Sequence, residues 1–265
     1  MPKMKIIDFL TGLFQMFNLT AYVDESETIV VKTLDDYYAA GNIVPINIDR
    51  YLDTSTSKVD IALPFKEINF GYKGLGTILA KKYEQEFNSG WGSLSYTLNN
   101  DIYDAPEEQY KIELPFEHIM YERIYNTGQA IPTNFPTNVQ YGYFVDDNEE
   151  PYFGSPLLFY PIRQTSSTNL SFRNTNPSGR VPITSYFIPS NSVSLNFAVS
   201  RDNIHFNRMV NEYTANNKFD NTLFKTKYQS YIEDVFNSQR RLTKVTAYLP
   251  YKIFSSLKLN DLIQL

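Results

Sequence analysis

The chain has 265 residues, no cysteine and two histidines, His118 and His205. That length can bury a core without covalent staples, and the missing thiols exclude disulfides, thiolate zinc sites, iron–sulfur ligation and cysteine nucleophiles. With 24 basic against 29 acidic side chains the net charge is −5, which argues against general nucleic-acid binding.

An amphipathic helix is expected over residues 4–17. Ile6, Phe9, Leu10, Leu13, Phe14 and Phe17 recur at spacings of three and four, which makes one broad apolar stripe. Asn18 is its stop. Gly12 inside it costs about 1 kcal/mol against alanine and marks a close approach of another backbone. Lys3 and Lys5 before this run imitate a signal peptide. Asp8, Gln15 and Asn18 interrupt the run and no small-x-small cleavage site follows. We therefore expect a soluble chain without a cleaved export signal. No apolar segment reaches the length of a bilayer-spanning helix.

Residues 20–24 and 28–33 are rich in β-branched and aromatic side chains and flank Asp24-Glu25-Ser26-Glu27. They predict a β-hairpin with an acidic, solvated turn. Residues 34–40 read as a loop or short helical turn ended by Gly41. Strands follow at 59–63 and 65–72, then a second helix at 77–87 with Thr77 as N-cap.

Between 88 and 213 only short β-like runs occur, at 93–97, 110–114, 141–145, 157–160, 184–188 and 193–199. Turn-rich stretches such as 146–150 and 174–178 separate them, and most of the fourteen prolines fall here. This is the pattern of a sandwich or barrel. A third helix over 222–237 carries Leu223, Phe224, Tyr228, Tyr231, Ile232, Val235 and Phe236 largely on one side. A strand at 241–249, a helical turn at 251–257 and a last apolar strand at 262–265 complete the order. That last run pairs with an earlier strand, or another chain completes it, or the chain is a fragment of a longer one.

The fold class is therefore α+β, mostly β, with barrel- or sandwich-like modules, three helices and an N-terminal helix–hairpin module. Residues 1–87 and 211–265 are expected to form one scaffold, with 88–210 inserted as a β-rich unit. The 19 Phe and 21 Tyr suit half-buried sheets and contact surfaces. Charge is uneven. Residues 101–160 hold eleven acids and two bases, while residues 161–200 hold three bases and no acid. Such regions fold back on one another or give a subunit opposite-sign faces that guide assembly.

Catalytic chemistry is nearly absent from the pattern. His118 follows Glu117, but adjacent strand residues point to opposite faces, so a structural histidine is expected. His205 has no G-x-S-x-G elbow to serve, and a structural role is expected there too. Asp146-Asp147-Asn148-Glu149-Glu150 lacks the glycine and spaced glutamate of an EF-hand loop and reads as a solvated tip. Gly71-Tyr72-Lys73-Gly74-Leu75-Gly76 matches neither dinucleotide nor P-loop spacing and reads as a turn. Trp91, between Gly90 and Gly92, is a sugar platform, a loop anchor or a subunit contact. Arg240-Arg241 complement a helix end or make intersubunit salt bridges. Nothing singles out one pair of acids for glycoside hydrolysis. No catalytic, cofactor or metal residue is assigned.

Several stretches together resemble phage tail and baseplate structural proteins. The run from Ile6 through Gly12 and Met16 to Leu19, followed by Tyr22-Val23, resembles their helix–hairpin module. Tyr228, Tyr231, Val235 and Phe236, with Arg240-Arg241-Leu242 and Ala247-Tyr248-Leu249-Pro250, are similar to their closing region. So is Leu257-Lys258-Leu259-Asn260-Asp261. Pro115-Phe116-Glu117-His118 and Gly154-Ser155-Pro156-Leu157-Leu158-Phe159-Tyr160-Pro161 read like virion proteins of environmental tailed phages. The resemblance implies a non-enzymatic component of a virion tail hub, baseplate or tail tip, assembled in the bacterial cytoplasm. It implies packing in a ring against copies of itself and other tail proteins, with no cofactor, membrane or sequence-specific nucleic-acid contact. The alternative is a carbohydrate-binding or glycan-hydrolysing β-domain of a virion or bacterial surface system.

Overall fold

The computed structural model describes residues 4–44, 48–61, 65–73, 78–97, 109–117, 121–124, 138–141, 149–150, 154–173, 179–194, 198–210, 218–235 and 240–263. The order begins α1 (Ile6–Phe17), β1 (Leu19–Val23), β2 (Ile29–Thr33), α2 (Leu34–Ala39), β3 (Ile43–Val44), β4 (Leu52–Ile61) and β5 (Glu67–Tyr72). It continues with α3 (Ile78–Phe87), β6 (Leu94–Thr97), β7 (Gln109–Leu114), β8 (Tyr121–Ile124), β9 (Asn138–Tyr141), β10 (Tyr160–Arg173) and β11 (Arg180–Ser190). Last come β12 (Met209–Val210), β13 (Lys218–Phe219), α4 (Gln229–Val235), β14 (Arg241–Ala247), α5 (Tyr251–Phe254) and β15 (Leu262–Ile263).

The chain is α+β and mostly β, as the sequence predicts. Among the described residues there are five α-helices where three are expected, and the two additions are short: α2 and α5. Among the described residues the sheets have two or three strands and none closes into a barrel. The chain divides into two compact units. Unit one is Met1–Asp8, Phe70–Leu94 and Glu113–Leu223, and unit two is Phe9–Asn69, Ser95–Ile112 and Phe224–Leu265.

In unit two, α1 stops at Asn18, whose φ of 50° lies in the left-handed region that asparagine tolerates at a helix end. The Asn18 amide then donates to the Lys227 carbonyl at 2.8 Å, and the Tyr228 hydroxyl donates to the Gln15 carbonyl. Those bonds hold α1 against a π-helical turn, Phe224–Tyr228, which runs directly into α4. The sequence predicts a plain helix here, because an apolar stripe does not register one extra residue in a turn.

β1 and β2 pair antiparallel from Leu19↔Thr33 to Val23↔Ile29. The Asp24 carboxylate closes the turn by accepting from the backbone N–H of Ser26 at 2.8 Å and of Thr28 at 2.9 Å. Thr33 then caps α2 by accepting from Asp36 N–H. β15 pairs parallel with β3, Leu262 opposite Ile43, so the last run does find an earlier strand. The approach is close: a Cβ on Gly41 would lie 1.8 Å from the Asn260 carbonyl oxygen, so only glycine fits.

β4 starts well before the expected strand and pairs with β14, Leu52 opposite Ala247 and Ile61 opposite Arg241. Its Thr- and Ser-rich half shows no apolar alternation because most of that ribbon faces solvent. The strand is held by backbone pairing, which leaves no mark in the polarity pattern.

Unit one has an aromatic core. Phe70 and Tyr72 of β5 alternate inward, and the Phe206 ring lies 5.0 Å from Phe70 and 5.9 Å from Tyr72. Leu114, Phe116 and Phe219 are also buried. Each large apolar side chain contributes about 1.5–3 kcal/mol.

β10 and β11 form a long two-stranded ribbon from Tyr160↔Ser190 to Arg173↔Arg180, irregular between Thr165 and Leu170. The sequence predicts only 157–160 and 184–188 as strand in this region. Pro161, Pro182 and Pro189 hide the rest, yet a two-stranded ribbon has two open edges that accept proline. Leu157 makes an isolated bridge to Glu117, and its strand begins only at Tyr160. Of the strand expected at 193–199, Val193, Ser194, Ala198 and Val199 are described and lie outside any strand, and residues 195–197 lie outside the described residues. Ser192 bridges Asn203 alone, and Ala198 and Val199 lie in a turn. The expected strand at 141–145 coincides with the end of β9 at Tyr141; its remainder lies outside the described residues.

Candidate functional site

His205 lies at the centre of unit one, in a short loop whose backbone is held from several sides. Asn203 Oδ1 accepts from His205 N–H at 2.8 Å, and its amide donates to the Phe219 carbonyl. The His205 carbonyl accepts from Leu223 N–H at 2.8 Å, and Gly92 accepts from Phe206 N–H at 3.0 Å. The Tyr72 hydroxyl donates to the Ile204 carbonyl. Burial disfavours the phenolate and pushes the Tyr72 pKa upward, so this phenol stays a donor.

The His205 side chain is fully buried, and desolvation of its cationic form lowers its pKa from 6.5 to about 3. A general base works best with a pKa near the operating pH, and this imidazole is far below it. Its ring packs on Trp91 at 5.1 Å, nearly perpendicular, and Trp91 packs on Tyr83 at 4.9 Å in the same way. Trp91 is half-buried and joins two elements of one core, which suits an anchor of the 88–93 loop.

The remaining sequence candidates scatter. His118 lies outside the described residues, while Glu117 is buried and its backbone bonds Pro156 and Leu158. In the acidic run only Glu149 and Glu150 are described, and both are exposed. Gly71 belongs to β5, and residues 74–77 lie outside the description. Arg240 pairs with the Asp234 carboxylate, and Arg241 Nη1 donates to the Arg240 carbonyl at 2.9 Å. Among the described residues no three acids or histidines converge as metal ligands. No described helix is long and apolar enough to cross a membrane.

Sequence reasoning missed the surfaces. On β1–β2, Ala21, Val23, Ile29 and Val31 share one face, since Val23 pairs with Ile29 and Ala21 with Val31. All four are exposed, Val23 at 65% and Ile29 at 72%. Thr20, Tyr22, Val30 and Lys32, on the opposite face, are less exposed. Further exposed apolar side chains run through the C-terminal region: Tyr248, Tyr251, Phe254, Leu259 and Leu262. The β-branched and aromatic content of β1 and β2 was visible in the sequence, but not which face of the hairpin would be left bare. The hairpin also borders an open groove of about 560 Å³ lined by Tyr22, Lys32, Tyr37, Asn42, Lys258 and Asn260.

No protein-family model matches the chain, and neither the curated proteins nor the solved structures offer a match.

Proposed function

We propose that this chain is a structural component of a phage virion, in the tail hub, baseplate or tail tip, and that it acts through subunit–subunit packing without catalysis. The observation that carries the reading is the exposed apolar surface on β1–β2 and along the C-terminal region. A folded monomer seldom leaves large contiguous apolar patches bare, and aromatic residues concentrate in interface cores. A contact that buries about 1,000 Å² of such surface gives about 25 kcal/mol gross, most of it offset by association costs. The resemblance of the helix–hairpin and closing stretches to tail proteins supports the virion setting.

Size-exclusion chromatography with light scattering on the purified chain is expected to give a defined oligomer. Mass spectrometry of purified particles from a host carrying the gene is expected to find the chain in the virion. A monomer that binds on a glycan array would favour the carbohydrate-binding alternative and overturn this proposal.

A further inference from the structure

Two exposed patches of this chain have complementary character. The first is the β1–β2 face, with Val23, Ile29 and Val31 at its centre. Acids flank it, with Glu25 and Glu27 in the turn and Asp35 in the first turn of α2. Glu25 already pairs with Lys258 at 3.4 Å, which leaves Glu27 and Asp35 as the acids to be met. The second patch is on the β10–β11 ribbon. Arg163 and Phe187 are cross-strand partners and so share a face. Both are exposed, Phe187 at 66%, and residues 161–200 contain no acid.

A two-stranded ribbon is marginally stable in water by itself. On the face that Arg163 and Phe187 share, Pro161 and Thr165 are also exposed. An aromatic side chain beside a guanidinium matches an apolar centre with an acidic rim. Phe187 would cover the valines and isoleucine, and Arg163 would meet Glu27 and Asp35.

We propose that the β10–β11 ribbon docks its Arg163–Phe187 face on the β1–β2 face of a second copy of this chain. The inference rests on the assembly reading above and specifies its contact. Because the two patches differ, the contact is head-to-tail. Such a contact closes into a ring when its rotation allows and otherwise continues as a filament.

The test uses two full-length variants, Phe187→Asp to disable the ribbon and Ile29→Asp to disable the receiving face. Both positions are exposed, and circular dichroism checks that each variant keeps the wild-type spectrum. In light scattering each variant alone is expected to be monomeric. An equimolar mixture is expected to give a dimer and nothing larger, because one intact ribbon and one intact face remain between the two chains. Misfolded chains cannot produce that gain. If either variant keeps the wild-type assembly mass, or the mixture stays monomeric, the inference is wrong while assembly itself stands. A monomeric wild type overturns both.

Discussion

At residue scale, His205 is a group whose chemistry the fold changes strongly. Its imidazole is held neutral by burial, with a pKa of about 3 against 6.5 when unfolded. The unfolded chain therefore takes up the proton first as pH falls. Stability from this burial is complete above pH 6.5 and is lost as pH drops toward 3, by about 1.4 kcal/mol per pH unit. The urea midpoint should fall correspondingly between pH 7 and pH 5. His205→Leu is expected to reduce that slope by about one proton, even if it costs about 1–3 kcal/mol at pH 7 through altered packing. An unchanged slope would show that the ring is not buried neutral. No local pattern signals this: a histidine in Asn203-Ile204-His205-Phe206 reads the same exposed or buried. Its ring meets Trp91, and the neighbouring Phe206 packs on Phe70 and Tyr72, all of which lie far away along the chain.

At the scale of elements, the joint between α1 and the π-helical turn is fixed by side-chain to backbone hydrogen bonds from Asn18 and Tyr228. Asn18 has two tasks, adopting a positive φ and bonding the Lys227 carbonyl. Asn18→Gly keeps the first and loses the second, and is expected to cost about 1 kcal/mol. Asn18→Ala loses the bond and adds left-handed strain of about 1–2 kcal/mol. Chemical denaturation should rank wild type above Asn18→Gly and that above Asn18→Ala. Equal stability of the two variants would refute the strain argument. Elements with a strong local pattern were readable: the apolar stripe of α1, the β-branched and aromatic runs of the β1–β2 hairpin and the alternation of β5. Elements without one were not. The polar half of β4 shows no alternation, since backbone pairing holds it and little of either face is covered, and β10 is likewise a strand by its backbone pairing with β11.

For the whole molecule, the head-to-tail contact makes a claim about salt. Arg163 meets carboxylates at a partly exposed rim, where screening is effective. The assembly is expected to loosen a few-fold between low and high ionic strength, read as a shift of the light-scattering transition to higher protein concentration. An apolar contact alone would tighten or stay constant as salt rises.

Composition and periodicity alone determined that this is a mostly β, cysteine-free chain rich in aromatic side chains, opened by a helix and a hairpin. Those properties depend on residues close together in sequence, and local sterics and alternation express them directly. The tertiary structure decided that His205 is buried, which face of the β1–β2 hairpin stays bare and which distant strands pair, such as β3 with β15 and β4 with β14. Each of these depends on residues far apart in the chain meeting in space, and local pattern carries no record of such meetings.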